Sequence, residues 1–301
     1  MIVYTKRAQV NEQKYNHCIK NAVQSNIFGF SWYLDIVADS WDVLVLNDYE
    51  AVMPLPKREK YFFKYVYPPL WLVHLGIYSL NIEDENEFLI ELLDDFSFVE
   101  LRLNPENSFT VFSNVLQERK TQILYLNSSY SDIRAAYNRN RKRELKKAKG
   151  KDLTECWNDA PIKLLHLFKE NIGNRLKKVR TKDYDNLLHL MQYCLERKVG
   201  EMLTVYDAKN KLVSGAFFLK YKDRVTELVC ASDLENRNNG ANTFMNDRAI
   251  CKYQRNFSVF DFGGSSMQNI AKYYYSFGAT DAVYMQIVYN NLPAFFKFLK
   301  R

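Results

Sequence analysis

The most informative segment of the sequence is Val225-Thr-Glu-Leu-Val-Cys-Ala-Ser-Asp-Leu-Glu-Asn-Arg-Asn-Asn-Gly-Ala-Asn-Thr-Phe-Met245. Its apolar, β-branched start predicts a strand over residues 225–231, and the polar residues after it predict a turn. A helix is predicted over residues 242–255. Unpaired backbone N–H groups and a partial positive charge at the start of such a helix suit a bound diphosphate.

The residues that would form this anion site are Arg237, Asn238, Asn239, Gly240 and Ala241. Small residues let successive backbone N–H groups point outward together, and Arg237 would add a charge-assisted hydrogen bond. The alternative is an Asn-rich capped turn that binds no ligand. Spacing alone does not decide between the two, because short glycine-loop patterns often occur without a ligand.

The same order of predicted elements occurs in both halves of the chain. Each half has three hairpin-linked strands, a crossover helix and then further strands, an order typical of a mixed sheet. Strands are predicted at residues 41–46, 49–56, 62–67, 98–103 and 121–126, and again at 202–206, 212–220, 225–231, 258–262 and 282–288. Helices are predicted near residues 85–95 and 242–255. We interpret the chain as an ancient duplication of the α/β class, each half a mixed, mostly antiparallel sheet flanked by helices.

A basic segment separates the two halves. Between Arg134 and Lys151 the sequence has nine Lys or Arg residues and one acid, a local charge of +8 in a chain of net charge +7. The rest of the chain is therefore nearly neutral, which argues against binding through the whole surface. A helix is predicted over residues 131–149, and we interpret it as a solvated connection. The predicted domains are residues 1–130, a connecting helix at 131–152, and residues 153–301.

Composition excludes several classes of protein. The 301 residues are 47% apolar and 26% charged, which excludes a disordered or low-complexity chain. No apolar run is long enough for a signal peptide or a membrane span. Five cysteines without a C-x-x-C pair favour a reduced, cytoplasmic protein. The four histidines show no metal-binding spacing, and no Walker loop or G-x-S-x-G motif occurs.

The segment Arg237-x-x-Gly240, between a strand and a helix, resembles the pyrophosphate loop of the GNAT superfamily of N-acyltransferases. That pattern is R/Q-x-x-G-x-G/A, and Asn242 stands at its last position. The downstream segments Phe260-Asp-Phe-Gly-Gly-Ser265 and Ile270-Ala-Lys-Tyr-Tyr-Tyr-Ser-Phe-Gly-Ala279 strengthen the resemblance. They are similar to the GNAT pattern of a parallel strand followed by a helix with A-x-x-Y-x-x-x-G.

The plan of the whole chain resembles a subgroup with two such folds in tandem, the Fem-type aminoacyltransferases and related bacterial acyltransferases. No pattern for a long helical arm, frequent in the Fem type, is present. The resemblance depends on Trp32-Tyr-Leu-Asp35, Ala51-Val-Met-Pro-Leu-Pro56, Pro68-Pro69, Leu75-Gly-Ile-Tyr-Ser79 and Tyr137-Asn-Arg-Asn-Arg-Lys-Arg-Glu-Leu-Lys-Lys-Ala148.

The resemblance implies that acyl-CoA binds between two diverging strands, at residues 225–231 and 258–262, and transfers its acyl group to an amine. Glu227 and Asp233 are the candidate bases, since a carboxylate at a strand edge can accept the amine proton. The alternative for Glu227 is a side chain that faces solvent. Tyr274 is the implied general acid for the leaving thiolate. Tyr273 and Tyr275 remain alternatives, as does simple aromatic packing.

The first half has no equivalent glycine turn, so we expect it to form the acceptor pocket. Plausible lining residues, each of which core packing would also explain, are Trp32, Tyr33, Tyr67, Trp71 and His74. The expected acceptor is an amine on a small molecule or cell-wall precursor, and no metal is expected. Two alternatives remain open: an aminoacyl-tRNA donor held by the basic helix, and a non-catalytic binding protein with the same fold.

Overall fold

The fold is that of a computed structural model, which describes residues 1–60, 63–81, 84–173, 179–235, 239–264 and 267–293. Within these residues, apolar runs form strands, and segments with helical spacing of apolar residues form helices. The chain divides into two compact units. Unit 1 contains Met1–Arg119 together with the chain from Val283 onward, and unit 2 contains Lys120–Ala282. This division differs from the predicted domain boundaries, because the basic helix lies inside unit 2 and the last strand belongs to unit 1.

Unit 1 is a mixed sheet with three α-helices in its described part. Its strands are β1 (Ile2–Lys6), β2 (Ser40–Leu46), β3 (Ala51–Lys60), β4 (Phe63–Val66), β5 (Tyr78–Ser79) and β6 (Phe98–Arg102), and its helices are α1 (Glu12–Asn21), α2 (Ser31–Val37) and α3 (Asn86–Asp95). Strands β1 to β4 are antiparallel neighbours, whereas β4 and β6 are parallel.

Unit 2 repeats this plan. It contains most of β7 (Leu116–Tyr125), together with α4 (Tyr130–Ala136), α5 (Arg139–Lys149), β8 (Thr154–Cys156), α6 (Pro161–Asn171), α7 (Thr181–Glu196), β9 (Gly200–Tyr206), β10 (Leu212–Tyr221), β11 (Arg224–Ser232), α8 (Ala241–Tyr253), β12 (Val259–Asp261) and α9 (Gln268–Tyr275). Strands β8 to β11 are antiparallel neighbours, and β11 and β12 are parallel.

Each sheet takes its last strand from the other half of the sequence. In unit 2, β7 pairs antiparallel with β12, with Leu124 opposite Phe260. In unit 1, the strand β13 (Thr280–Asn290) pairs antiparallel with β6, with Ile287 opposite Leu101. The strands predicted at residues 121–126 and 282–288 are therefore present, but each completes the sheet of the other half.

The basic segment is two helices rather than the single predicted helix. Tyr137 and Asn138 have extended backbone angles between α4 and α5, and the Asn138 side chain caps α5 by accepting a hydrogen bond from the Arg141 N–H. Such an N-cap satisfies a backbone donor that a continuous helix would not leave free. The helix α5 also packs on α8 and buries Arg141, Leu145 and Ala148. The interpretation of a solvated connection is therefore wrong.

Aromatic residues fill the core on the α8 side of the unit 2 sheet. Phe218 and Phe260 are fully buried with ring centroids 5.9 Å apart, and Tyr253 packs 5.3 Å from Phe218. Burying each such ring contributes roughly 2–3 kcal/mol to stability. This core holds α8 against the centre of the sheet, and thereby fixes the turn that precedes the helix.

Candidate functional site

A bulge in β11 sets the position of Glu227. Phe217 pairs with Val229 and Phe218 pairs with Glu227, so Leu228 is an extra residue on β11. A β-bulge re-aims the side chains beside it and disrupts the strict alternation of a strand. Glu227 consequently shares a face with Phe218 and comes within hydrogen-bonding reach of the Cys230 thiol, three residues further along.

Glu227 is a buried carboxyl group. It is only 4% exposed, and burial raises its pKa to about 7, although the hydrogen bond from Cys230 opposes the shift. Its Oε2 atom is buried without a hydrogen-bond partner among the described residues. The solvent-facing orientation is therefore not observed. A carboxyl group whose pKa lies near neutrality can exchange a proton at physiological pH.

The ladder between β11 and β12 includes every residue of β12 but only the first part of β11. Their ladder contains Arg224 with Val259, Val225 with Phe260, and Thr226 with Asp261, whereas β11 continues to Ser232. Glu227 is thus the first residue of β11 beyond the ladder. The ladder therefore ends beside the buried carboxyl group, and the divergence of the two segments beyond it stays a prediction.

Gly263 makes a close approach possible at this point. Its φ is +69°, and a Cβ atom there would lie 2.3 Å from the Glu227 carbonyl oxygen. Only glycine fits this conformation at this distance. The Gly-Gly pair noted in the sequence therefore lets the chain after β12 pass directly beside Glu227.

Asp233, the other candidate base, lies at the far end of β11. Its carboxylate pairs with Lys211 Nζ at 2.7 Å and accepts the Glu235 N–H at 2.9 Å. Lys211 neutralises the charge of the Asp233 carboxylate, and the hydrogen bond from Glu235 fixes the turn that follows β11. Asp233 thus has a structural partner, and Glu227 is the better placed of the two for proton transfer.

Helix α9 separates the three candidate tyrosines. Tyr274 is buried, and its ring stacks on Phe262 with centroids 4.3 Å apart. Tyr273 faces α8, and its hydroxyl accepts a hydrogen bond from Asn246 at 3.4 Å. Tyr275 is 41% exposed and donates its hydroxyl hydrogen to Asp281, away from Glu227.

The Glu227 carboxylate influences both buried tyrosines. Burial raises the pKa of Tyr274 well above its usual value, and the charges of Glu227 and Cys230 raise it further. Burial also raises the pKa of Tyr273, whereas Arg141 and a hydrogen bond with Thr243 lower it. The two hydroxyl groups are therefore neutral proton donors close to the carboxylate of β11.

The turn before α8 is described only in part. Arg237 and Asn238 lie outside the described residues. Asn239 Oδ1 accepts the Ala241 N–H at 2.8 Å, and Gly240 is the N-cap of α8 with φ +79°. A Cβ atom on Gly240 would lie 2.8 Å from the Glu144 carbonyl oxygen of α5. The glycine is thus required, and one side of the turn is covered by α5.

Arg141 is a site residue that the sequence reasoning missed. It is 7% exposed, its Nη1 donates to the Thr243 hydroxyl in the first turn of α8, and its guanidinium lies 4.5 Å from the centroid of the Tyr273 ring. Arg141 precedes Leu145 by four residues and Ala148 by seven, so it occupies the buried stripe of α5. That spacing could have indicated that Arg141 is buried, but the neighbouring exposed cations made the whole segment look solvent-facing.

The predicted acceptor residues of unit 1 separate into groups. Trp32 and Tyr33 have ring centroids 5.4 Å apart, and the Tyr33 hydroxyl donates to the Trp71 carbonyl oxygen at 2.5 Å. Tyr67 instead accepts the Asp39 N–H and lies under the Arg58 guanidinium. His74 is buried, with Nδ1 at 3.1 Å from the Leu103 carbonyl oxygen. The structure thus brings Trp32, Tyr33 and Trp71 together.

A described cavity of unit 1 lies elsewhere. Its volume is about 380 Å³, and it is lined by residues including Gln24, Ser79, Glu85 and Ser108. No cluster of three or more His, Cys, Asp or Glu side chains suited to a metal ion occurs among the described residues. Within the same part of the chain, no helix is long and apolar enough to cross a membrane.

Comparison with solved structures identifies the fold. The chain is similar to the crystal structure of FemX with a TM-score of 0.66 and 13% identity, over 97% of this chain and 99% of that one. It is also similar to a tandem GNAT protein from the clavulanic acid biosynthesis pathway, with a TM-score of 0.57 and 9% identity over 98% and 100% of the two chains. No protein-family model and no curated protein sequence matches the chain.

A third similar structure is that of L-PGS from Bacillus licheniformis, with a TM-score of 0.55 and 9% identity over 95% and 94% of the two chains. These matches extend over nearly the whole length of each protein. They confirm the predicted fold class, tandem GNAT-like folds that resemble the Fem type. At such low identity they establish the fold alone, and the chemistry has to be argued from the residues.

Proposed function

We propose that unit 2 transfers an acyl group from acyl-CoA to an amine acceptor. The observation that carries this proposal is the Glu227 carboxyl group, buried at the point where β11 leaves its ladder with β12 and with a pKa of about 7. The fold shared with FemX and the tandem GNAT protein supports the assignment to a transferase. We place the reaction in the cytoplasm, where free cysteines remain reduced.

Glu227 is the proposed general base. An alkyl ammonium group has a pKa near 10 and must lose a proton before its nitrogen can attack a carbonyl carbon. A carboxylate with a pKa of about 7 is a stronger base than an ordinary glutamate and is still largely ionised at slightly alkaline pH. Asp233 is the weaker candidate because Lys211 neutralises it.

The proposed reaction is direct attack on the thioester. The amine nitrogen bonds to the carbonyl carbon, the bond from that carbon to sulfur breaks, and the amine proton passes to Glu227. Tyr274 protonates the leaving thiolate, with Tyr273 as the alternative acid. A backbone N–H of β11 beyond its ladder with β12 would polarise the carbonyl oxygen.

The acceptor side is proposed to lie in unit 1. The rings of Trp32 and Tyr33 are neighbours, and the Tyr33 hydroxyl donates to the backbone carbonyl oxygen of Trp71. Aromatic faces attract ammonium groups and sugar rings, so they suit an amine on a small molecule or a cell-wall precursor. The proposed reaction takes no metal ion as a participant.

The test is release of free thiol from acetyl-CoA in the presence of a panel of amines, with transfer verified by the mass of the product. We expect transfer by the wild-type protein, strong loss in Glu227→Gln, and unchanged transfer in Tyr275→Phe, whose hydroxyl faces Asp281. Tyr274→Phe and Tyr273→Phe distinguish the two possible acids. An unchanged rate in Glu227→Gln would contradict the proposal, and failure of every acyl-CoA would leave the aminoacyl-tRNA donor and the non-catalytic alternative.

A second candidate donor is an aminoacyl ester carried on tRNA. The observation that favours it is the outer face of α5, where six cations are exposed: Arg139, Lys142, Arg143, Lys146, Lys147 and Lys149. Such a row neutralises phosphates and makes binding depend on salt. Retention of tRNA that falls with salt, and falls further in a variant with Lys142, Lys146 and Lys147 changed to Ala, would support this donor over acyl-CoA.

A further inference from the structure

The cavity of unit 1 has a buried polar lining. Its volume is about 380 Å³, and Gln24, Ser79 and Glu85, which line it, are each less than a tenth exposed. The Gln24 side chain links the other two residues, because its Oε1 accepts the Ser79 N–H at 3.0 Å and its Nε2 donates to Glu85 Oε1 at 3.2 Å. The three residues therefore form one connected polar surface of the cavity.

The Ser79 hydroxyl group is available to a ligand. The N–H of Ser79 donates to Gln24, and its carbonyl oxygen accepts the Val23 N–H at 3.3 Å. Its Oγ is buried and has no hydrogen-bond partner among the described residues. An unpaired buried hydroxyl group is unfavourable, so we expect its partner to be a molecule bound in the cavity.

Three carboxylates give the cavity a negative potential. Asp84 and Glu106 are exposed residues of its lining, and Glu85 is buried. Burial raises the pKa of the Glu85 carboxyl group, and hydrogen bonds from the Ser108 N–H and Asn107 oppose this shift. The charges of Asp84 and Glu106 raise the same pKa further, so the three carboxylates lie close enough to interact.

The protein groups around these carboxylates do not neutralise them. No lysine, arginine or histidine lines the cavity among the described residues. The hydrogen bonds to Glu85 come from two side-chain amides and one backbone N–H, which are neutral donors. The helix α3 begins beside Glu85, and its N-terminus carries about half a positive charge, which offsets only a small part of three negative charges. The cavity therefore attracts a cation.

The lining favours an ammonium ion over a metal ion. Among the described residues, no group of three or more His, Cys, Asp or Glu side chains is arranged to hold a metal. An ammonium group instead donates three separate hydrogen bonds, which hydroxyl and carboxylate oxygens accept. Val23 and Leu80 also line the cavity and are 77% and 41% exposed, so an alkyl chain on the ammonium group would cover apolar surface.

We propose that this cavity binds a primary alkyl ammonium ion, with Ser79 Oγ and the Glu85 carboxylate as hydrogen-bond acceptors. The charges of Asp84 and Glu106 attract the same ion. The described lining includes none of the residues proposed for acyl transfer. The inference is therefore independent of the proposed function, and binding in this cavity is not a step of the transfer. Two sources present such a group, a free alkyl amine and a lysine side chain.

The experiment measures binding of n-pentylammonium by isothermal titration calorimetry to the wild-type protein, Glu85→Gln and Ser79→Ala. The control is Glu87→Gln, which removes an exposed acid of α3 that is absent from the described lining. Loss of the charged acceptor in Glu85→Gln should weaken binding by about 10- to 100-fold. Loss of the hydroxyl in Ser79→Ala should weaken it by about 3- to 10-fold. Less than about a twofold change is expected in Glu87→Gln.

Further probes define the ligand. 1-Pentanol has the alkyl chain without the charge, and tetramethylammonium has the charge without N–H donors, so each should bind at least about tenfold more weakly than n-pentylammonium. Nα-acetyl-lysine amide represents a lysine side chain. Tighter binding of this compound than of n-pentylammonium supports a lysine side chain as the ligand, and the reverse order supports a free amine.

The folded fraction of each variant is measured by circular dichroism. Ser79→Ala keeps the test open if Glu85→Gln does not fold, because it removes a hydroxyl group that has no partner among the described residues. The proposal is overturned if the wild-type protein binds neither ammonium compound, if 1-pentanol or Ca²⁺ binds as tightly as n-pentylammonium, or if Glu87→Gln weakens binding as much as the cavity variants.

Discussion

The crossover helices of the two units, α3 and α8, begin in opposite ways. In unit 1 the N-cap of α3 is Glu85, whose buried carboxylate accepts hydrogen bonds from Asn107 at 2.8 Å and from the Ser108 N–H at 2.7 Å. In unit 2 the N-cap of α8 is Gly240, and the nearby buried charge is the Arg141 guanidinium. An acid stabilises the positive end of a helix, whereas a cation does not.

This difference is one between two units that share a plan of strands and helices. In unit 1 an acidic residue, Glu85, precedes the helix, and its side chain bonds to Asn107 and Ser108 rather than to the first turn of α3. In unit 2 the helix end remains positive, and a carboxyl group of raised pKa, Glu227, lies on the adjacent strand. This contrast supports the proposal that the reaction takes place in unit 2.

The largest expected effect distinguishes the two buried glutamates. Glu227→Gln should lower the rate of acyl transfer by about 10²- to 10⁴-fold, because it removes a positioned general base. The matched change in unit 1, Glu85→Gln, should leave the rate per folded molecule within about twofold, since the partners of Glu85 among the described residues are Gln24, Asn107 and Ser108 of its own unit. The two variants are compared at equal folded fraction, which circular dichroism measures. Equal losses of transfer rate in both would show that Glu227 has no specific role in the reaction.

The second effect concerns stability and pH. Because the folded pKa of Glu227 is about 7, above its unfolded value of 4.5, the folded state favours the protonated form. Stability from this group is present below pH 4.5 and is lost as the pH rises through 7. The total loss is about 3 kcal/mol, and Glu227→Gln should escape it.

Urea unfolding of both proteins at pH 4 and pH 9 measures this effect. The difference in unfolding free energy between Glu227→Gln and wild type should increase by about 3 kcal/mol from the lower to the higher pH. A constant difference would mean that the carboxyl group is solvated in the folded protein.

The third effect tests the turn before α8. Gly240→Ala should lower the unfolding free energy by about 1–3 kcal/mol, because φ is +79° and the new Cβ atom would approach the Glu144 carbonyl oxygen. Gly150→Ala, at the end of α5, is the control, since its nearest contact would be an ordinary 3.7 Å. Thermal denaturation should separate the two variants clearly, and an unperturbed Gly240→Ala would show that α5 does not lie against the turn.

The smallest effect belongs to the other candidate base. Lys211→Met removes the ion-pair partner of Asp233, but the lysine is half exposed, so the unfolding free energy should change by less than about 1 kcal/mol. Acyl transfer should be unchanged. A large fall in transfer would instead bring Asp233 into the reaction and weaken the case for Glu227.

The sequence predicted the fold well because its signals are local. Hairpin-linked strands and helices such as α3 and α8 follow from apolar periodicity, and the observed bounds lie within a few residues of the predicted ones. The exchange of β7 and β13 between the halves could not be predicted, because strand pairing depends on contacts far apart in the sequence. The break at Asn138 was also missed, since strong helix formers surround it.

The candidate site was predicted in part. Glu227 was identified from its place in an apolar strand, but its burial depends on the bulge at Leu228, which local patterns do not reveal. Arg141 was overlooked because it is one of nine cations in a segment interpreted by its net charge. Its spacing from Leu145 and Ala148 distinguishes it from the exposed cations once the packing of α5 on α8 is known.

The most direct test of the central claim is a pH titration of the Glu227 carboxyl carbon by ¹³C NMR in protein labelled at glutamate side chains, with Glu227→Gln to assign the resonance. A buried base at the end of the ladder between β11 and β12 should titrate near pH 7, and its resonance should shift when a donor binds. Titration near 4.5, the ordinary value for a glutamate, with no response to acyl-CoA or aminoacyl-tRNA, would contradict the account.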